Sequence, residues 1–299
     1  MTASDIALCL SQHGCKNLTG DVDLADCSEY PVSRGGFGDV YRGKLCDGTE
    51  VAIKTIRIDL NVGDADHKTL KATRELYIWS KCQHPNILSL LGLIEFRAEV
   101  AMVSLWMEKG TLPVYLAQNP NADRCHISAQ ICEGLSYLHS ENVLHGDLKG
   151  GNVLVSNEGV VLLNDFGNAV LRDYTLRFTA TTENKSLSLR WAAPELVDER
   201  GEPYSVASDV YALGMTILVV ETITGQLPYF GKTEMAVIGA KNRNEIPLRP
   251  QRTMPLESRQ GDELWQLLVE CWNSEPMNRP SSEAVWKRMY VHLDEEHRK

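Results

Sequence analysis

Apolar positions change their period partway along the chain. From Tyr30 to Trp106 they fall in short runs rich in Val, Ile and Tyr: Tyr30–Val32, Asp39–Leu45, Glu50–Arg57, Ile87–Glu95 and Glu99–Trp106. Gly35-Gly36 and Asp47-Gly48 separate the first three, which predicts antiparallel strands joined by hairpins. One helix interrupts them. Asp66–Cys82 places Leu70, Leu76 and Trp79 on one side, with Asp66 as a candidate cap and His84-Pro85 as the stop. After Gly110 a helical period takes over, and Ile127, Ile131, Leu135 and Leu138 fall at i, i+4, i+8 and i+11. Val153–Val155 and Val160–Leu163 read as short strands around the turn Asn157–Gly159. Val206–Thr222 is apolar almost all round and predicts a central buried helix. Leu264–Trp272 and Ser282–Tyr290 predict further amphipathic helices. The pattern as a whole predicts an α+β chain, with a small antiparallel β-sheet lobe holding one helix and then a larger, mainly α-helical lobe. Residues 1–24 carry few periodic signals and read as an N-terminal tail.

Composition narrows the function classes. A chain of 299 residues can hold two lobes sharing a cleft. A net charge of −10 leaves no broad basic surface for nucleic acid or anionic membrane, so neither is an expected partner. The eight cysteines form no CxxC pair and show no zinc spacing, which predicts reduced thiols in the cytoplasm or nucleus. The apolar run Ile6–Leu10 is too short for a signal peptide, and Asp5 stands where a basic region belongs. The longest apolar run, Tyr211–Val220, falls well short of the roughly 20 residues of a membrane span. No dimerisation signal stands out, so a monomer is expected.

Candidate chemistry lies in four places. Ser33-Arg34-Gly35-Gly36-Phe37-Gly38-Asp39-Val40 is a glycine cluster. Glycines let a backbone approach phosphate oxygens closely, although a plain hairpin turn fits the same residues. It is neither a P-loop, because Leu45 follows Lys44 where Ser or Thr is required, nor a Rossmann turn, because a strand follows. Lys54 ends the apolar strand Val51-Ala52-Ile53, and its compact charge suits phosphate. Glu75 lies in the predicted helix and would pair with Lys54. Leu144–Asn152 reads LHGDLKGGN, and Asn164-Asp165-Phe166-Gly167 follows. Asn152 and Asp165 carry hard oxygen ligands of the kind that hold Mg²⁺ against phosphates. Asp147 is placed to accept a hydroxyl proton, and Lys149 to neutralise charge on a transferred group. Each has a plain structural alternative when taken alone.

Taken in order, these motifs resemble the eukaryotic protein kinase domain. The glycine loop at 33–40, Val51–Lys54, Glu75, His145–Asn152, Asp165–Gly167 and Ala193-Pro194-Glu195 match its signatures, and Asp209 and Arg279 match two further positions. The resemblance covers roughly residues 28–292. It implies a bilobal fold with a kinase domain at 25–292: an N-lobe at about 25–104, a hinge at about 105–109, a C-lobe at about 110–292, and a C-terminal tail at 293–299. Arg190-Trp191 and Cys271-Trp272 with Arg279-Pro280 look like the tyrosine-kinase-like group, and the wording Gly36–Tyr41 looks fungal.

The resemblance also implies roles. ATP phosphates would lie under Gly35, Gly36, Phe37 and Gly38, held by Lys54, which Glu75 orients. Asn152 and Asp165 would bind Mg²⁺ (or Mn²⁺), and Asp147, with Lys149, would take the acceptor proton. Val32, Val40, Ala52 and Leu154 would enclose adenine beside the gatekeeper Ser104 and the hinge residues Leu105 and Met107. Asp209 would brace the catalytic loop, and Arg279 would pair with Glu195. Lys149 and Ser188 match the Ser/Thr kinases, which implies protein substrates phosphorylated on Ser or Thr, with dual specificity open. A pseudokinase scaffold and a small-molecule kinase are the rival readings. Two departures stand out: Ser33 replaces a loop glycine, and Gly146 replaces an arginine that receives an activating phosphate in the family. The expectation is a working enzyme in which activation-segment phosphorylation is not the main switch.

Overall fold

The computed structural model describes residues 15–35, 38–55, 76–171, 188–197, 204–218, 226–251 and 254–296. The chain divides into two compact units. One runs up to His84 and includes Leu88–Glu108, and the other joins Pro85–Ile87 to the chain from Lys109 onward.

The first unit is a curled antiparallel sheet of β1 (Val22–Asp23), β2 (Ser33–Gly35), β3 (Gly38–Leu45), β4 (Glu50–Thr55), β5 (Leu90–Phe96) and β6 (Glu99–Leu105). Its order is β1-β3-β4-β6-β5, with β2 also pairing with β3. Pro31 has no N–H to give a ladder, so β2 begins after it rather than at Tyr30. The β5–β6 hairpin turns through Arg97 and Ala98, both at positive φ. Arg97 holds this turn: its guanidinium donates to the carbonyls of Ser28 and Glu29 and stacks on Tyr41. β4 alternates as the period of two demands, with Val51, Ile53 and Thr55 buried and Ala52 and Lys54 half-buried. Val51 and Ile53 join Ile94, Phe96, Ala101 and Val103 in one core. A short helical segment α1 (76–81) buries Leu76 and Trp79. The rest of the helix expected over Asp66–Cys82, and the end of the strand expected to Arg57, lie outside the described residues.

Leu18 and Val22 also belong to that core. Leu18 N–H donates to Leu93 O at 2.7 Å, Leu93 N–H donates to Lys16 O at 2.8 Å, and β1 pairs Val22 with Leu45. A Cβ on Gly92 would stand 2.3 Å from Lys16 O, so only glycine admits this approach. Residues 15–23, set apart as tail by their weak periodicity, are therefore part of the sheet. Three buried apolar side chains in nine residues, Cys15, Leu18 and Val22, are too few to make a period visible.

The second unit is mainly helical: α2 (Leu112–Gln118), α3 (Arg124–Ser140), α4 (Pro194–Val197), α5 (Val206–Ile217), α6 (Glu234–Asn242), α7 (Arg259–Cys271) and α8 (Ser282–Glu296). Asp123 caps α3 by accepting from His126 N–H at 2.8 Å, and Ile127, Ile131, Leu135 and Leu138 are buried along it. α5 starts on a capping box between Ser205 and Ser208 and is buried from Ser208 through Ile217. It packs on α3 and α7, while α8 packs along α3. The described part of the expected Val206–Thr222 helix ends at Ile217. Two short pairs complete the unit: β7 (Val143–Leu144) with β10 (Val170–Leu171), and β8 (Val153–Val155) with β9 (Val161–Leu163). Asn86 bonds to this second hairpin through Val161 O and Leu163 N–H, and Ile87 bridges to Leu163. The strand expected from Ile87 therefore begins only at Leu90. Among the described residues no helix is long and apolar enough to cross a membrane.

Candidate active site

The loop His145–Lys149 leaves β7 and enters a single 3₁₀ turn, Gly150–Asn152, before β8. Asp209 pins its start. From α5 its carboxylate accepts from His145 N–H at 2.8 Å and from Gly146 N–H at 2.9 Å. His139, at the end of α3, places Nε2 3.0 Å from the same carboxylate and Nδ1 2.8 Å from Ser282 Oγ at the start of α8. A carboxylate only accepts, so Nε2 carries a proton. Asp209 is 2% exposed. Burial pushes its carboxyl upward, but the hydrogen bond and charge of His139, with His145 and the Gly146 N–H, outweigh it and leave the group below the usual range.

Asp147 stands at the centre of three polar side chains. Its Oδ2 accepts from Lys149 Nζ at 2.8 Å and from Asn152 Nδ2 at 2.9 Å, and its Oδ1 accepts from Ser188 Oγ at 2.7 Å. Lys149 Nζ also donates to Ser188 Oγ at 2.9 Å, and Asn152 Nδ2 to Asp147 O at 2.8 Å. An ionised carboxylate has about four acceptor positions, so three side-chain donors orient it and leave capacity for a hydroxyl. Half-buried Tyr204 senses this charge. Burial, then Asp147, then Asp209, push its phenol up to about 12. Behind the loop, the buried His145 ring lies 5.9 Å from that of Phe166, and its Nδ1 accepts from Asp147 N–H at 3.3 Å.

β8 starts at Val153 and β9 ends at its partner Leu163, so the residues flanking the pair emerge at one end of the hairpin. Asn164 N–H donates to Asn152 O at 2.9 Å, which ties the two loops together. Asp165 follows at φ 70°. Asn152 is oriented by its own bonds. Its Nδ2 is spent on Asp147, so Oδ1 is the oxygen turned away from that carboxylate. One carboxylate and one amide oxygen fit Mg²⁺, which takes few protein ligands and completes its shell with phosphates and water. They do not resemble a preformed cage: no group of three or more His, Cys, Asp or Glu gathers as one among the described residues.

Gly146 takes φ 75°, and a Cβ there would lie 2.6 Å from Asn168 O. The position excludes a side chain on conformational and steric grounds at once. Gly146→Arg is expected to cost about 1–2 kcal/mol for the backbone alone. The clash adds to this, and a lowered thermal midpoint with no gain in activity would register it.

In the first unit, register gathers the remaining candidates on one sheet face. Val40 is opposite Lys54, and Ala52 is opposite Ser104. Directly opposed residues and those two apart share a face, so Val40, Ala52, Lys54 and Ser104 line up on it. Ser104 is 5% exposed. Val32 N–H donates to Val40 O at 2.8 Å, and Gly35 pairs with Gly38. Leu105 closes β6, and half-buried Met107 follows. Gly36, Phe37 and Glu75 lie outside the described residues, so the Lys54–Glu75 pairing is not described. Leu154 stands in β8, bridged to Thr111.

Arg279 ties α4 to α5 within the second unit. Its Nη1 and Nη2 bond the two Glu195 carboxylate oxygens at 2.6 and 2.8 Å, and it also donates to Ala207 O and Asn273 O. The sequence pointed to this pair and to Asp209, but not to His139 and Ser282 behind Asp209. The only trace of that pair was a histidine near the end of a helix.

Residues 28–289 match the family described as protein tyrosine and serine/threonine kinase. With that match spanning most of its length, the chain belongs to the protein kinase family, whose members are phosphotransferases. It is 29% identical over 265 residues to serine/threonine-protein kinase STY46 of Arabidopsis thaliana, covering 87% of this chain. It is 31% identical over 265 residues to human tyrosine-protein kinase FRK, covering 86%. It is 30% identical over 266 residues to tyrosine-protein kinase SRK2 of Spongilla lacustris, covering 86% of this chain and 67% of that one. The chain spans 43% of the length of STY46 and 49% of FRK.

Proposed function

We propose that the chain is a serine/threonine protein kinase of the tyrosine-kinase-like group, acting as a monomeric kinase domain over residues 25–292. It would transfer the γ-phosphoryl group of Mg-ATP to protein hydroxyls. The carrying observation is Ser188 Oγ bonded to both Asp147 and Lys149. This hydroxyl and the lysine two residues after Asp147 support a reading of the acceptor site as one for an aliphatic hydroxyl. Asp147 takes the acceptor proton, the acceptor oxygen bonds to the γ-phosphorus, the bond to the β-phosphate oxygen breaks, and ADP leaves. Lys149 offsets the charge on the transferred group. Asn152 and Asp165 would hold Mg²⁺ (or Mn²⁺), which neutralises bridged phosphate charge when bound. Lys54, oriented by Glu75, and the loop Gly35–Gly38 with Gly36 and Phe37 would hold the phosphates. Val32, Val40, Ala52, Leu154, Ser104, Leu105 and Met107 would hold adenine.

The test offers one peptide with Ser, Thr or Tyr at the same position. Ser and Thr are the expected acceptors. Equal use of Tyr would favour the second reading, a dual-specificity kinase, which draws support from relatives named as tyrosine kinases.

Gly146 supports a control that bypasses activation-segment phosphate. Thr175, Thr179, Thr181, Thr182 and Ser186, which lie outside the described residues, are the segment's candidate sites, and Thr179, Thr181 and Thr182 are the ones to replace. Replacing all three by Ala is expected to leave the steady-state rate within a few-fold of wild type, and a collapse of activity would contradict this.

A further inference from the structure

α6 turns Val237 and Ala240 into the second unit, and a lysine stands in the same buried face. Lys241 is 1% exposed. Its ammonium donates to Ala192 O, to Arg190 O at 3.5 Å and to Tyr211 OH at 3.3 Å. The rings of Tyr211 and Tyr229 lie 4.7 and 5.3 Å from Nζ. A buried cation is costly unless its donors are met, and here they are met by main-chain carbonyls and aromatic faces.

Those carbonyls belong to the turn that carries the acceptor-site hydroxyl. Trp191 and Ala192 N–H both donate to Ser188 O, at 2.8 and 3.0 Å. From the same turn the Arg190 guanidinium donates to Pro228 O, Tyr229 O and Lys232 O. The turn is thus held at its start by Asp147 and Lys149 through Ser188, and at its end by Lys241. We propose that Lys241 is a positioning residue of the acceptor site: its ammonium fixes the 188–192 turn, and through it Ser188, in the geometry that receives a peptide. This rests on the protein kinase reading and extends it to a residue outside the catalytic loop.

A charge dependence follows. Burial pushes the Lys241 ammonium down to about 7, opposed by the Glu195 charge and reinforced by Arg279. The other ionisable groups around it are Tyr211 and Tyr229, both raised by burial, and Glu245, lowered by its bonds to Arg243 and Lys232. None of these changes charge near neutrality, so Lys241 is the group there that does. Its folded value lies below the ordinary 10.5. The unfolded chain therefore binds more protons between the two values, and stability rises with pH across that window.

Lys241→Met keeps the length of the side chain and removes the charge. A lysine that only fills space would be replaced without kinetic effect. The expected result is a thermal midpoint at or above that of wild type at pH 7 and an unchanged KM for ATP. The KM for peptide should rise about tenfold, the loss of one charged hydrogen bond. Wild-type peptide KM should climb as pH rises through about 7, and the variant's should stay flat. Amide hydrogen exchange at Trp191 and Ala192 should quicken in the variant, a readout that needs no catalysis. Wild-type peptide KM, pH profile and exchange in Lys241→Met would overturn the proposal. So would an equal loss of ATP and peptide use with a lowered midpoint. Absence of transfer by wild type to any acceptor would instead sink the kinase reading, with exchange still reporting on the turn.

Discussion

Asp147→Asn is expected to lower phosphoryl transfer by about 10²–10⁴-fold while ATP affinity stays within a few-fold, because a positioned general base contributes on that scale. The substitution keeps size and one acceptor oxygen but turns the other oxygen into a donor. In the site that position faces Lys149 Nζ and Asn152 Nδ2 on one side and Ser188 Oγ on the other. The variant can no longer take a proton, and the donors facing the new amide nitrogen lose their acceptor. Neither change touches the sheet residues proposed to hold ATP, so nucleotide binding is expected to persist. Transfer rates and an equilibrium ATP-binding measurement on the same protein check both halves.

Asp209→Ala is expected to cost about 3–5 kcal/mol of stability and most of the activity, because removing one partner of a buried charged network leaves the others unmet. Three donors would be stranded: His145 N–H, Gly146 N–H and His139 Nε2. The two main-chain donors start the loop that carries Asp147, so loop geometry goes with them. The folded carboxyl of Asp209 lies below its ordinary value. Its contribution is therefore present above the unfolded value, and is lost as pH falls through the folded one. Chemical denaturation of Asp209→Ala and Asp209→Asn at neutral and acidic pH measures this. The Asn variant retains an acceptor for the backbone amides and should lose less.

Much of the candidate site was legible because its members lie close in sequence. Asp147, Lys149 and Asn152 share six positions, and the hairpin β8–β9 returns the chain to Asp165 thirteen positions later. The sequence showed Val51-Ala52-Ile53 as an apolar strand ending in Lys54, and it took the folded sheet to put Ala52 and Lys54 on one face and Val51 and Ile53 on the other. What escaped depends on distant segments. The bridge from Asp209 through His139 to Ser282 needs α3, α5 and α8 already packed. Nothing in the sequence set Lys241 apart, because its burial depends on which face of α6 packs inward. Leu18 and Val22 gave too short a pattern to show as core. Gly146 was noticed for the arginine it lacks. Its positive φ and the approach of Asn168 O, which explain the glycine, are properties of the folded backbone.

The central claim is that this loop works without an arginine at position 146. The most direct measurement takes purified wild-type protein, stripped of phosphate by a phosphatase that is then removed. It follows label from γ-labelled ATP with Mg²⁺ into a protein acceptor, and the labelled amino acid is identified. Label on serine or threonine is the predicted result. ATP binding with no transfer to any acceptor would contradict it and leave a fold kept for binding.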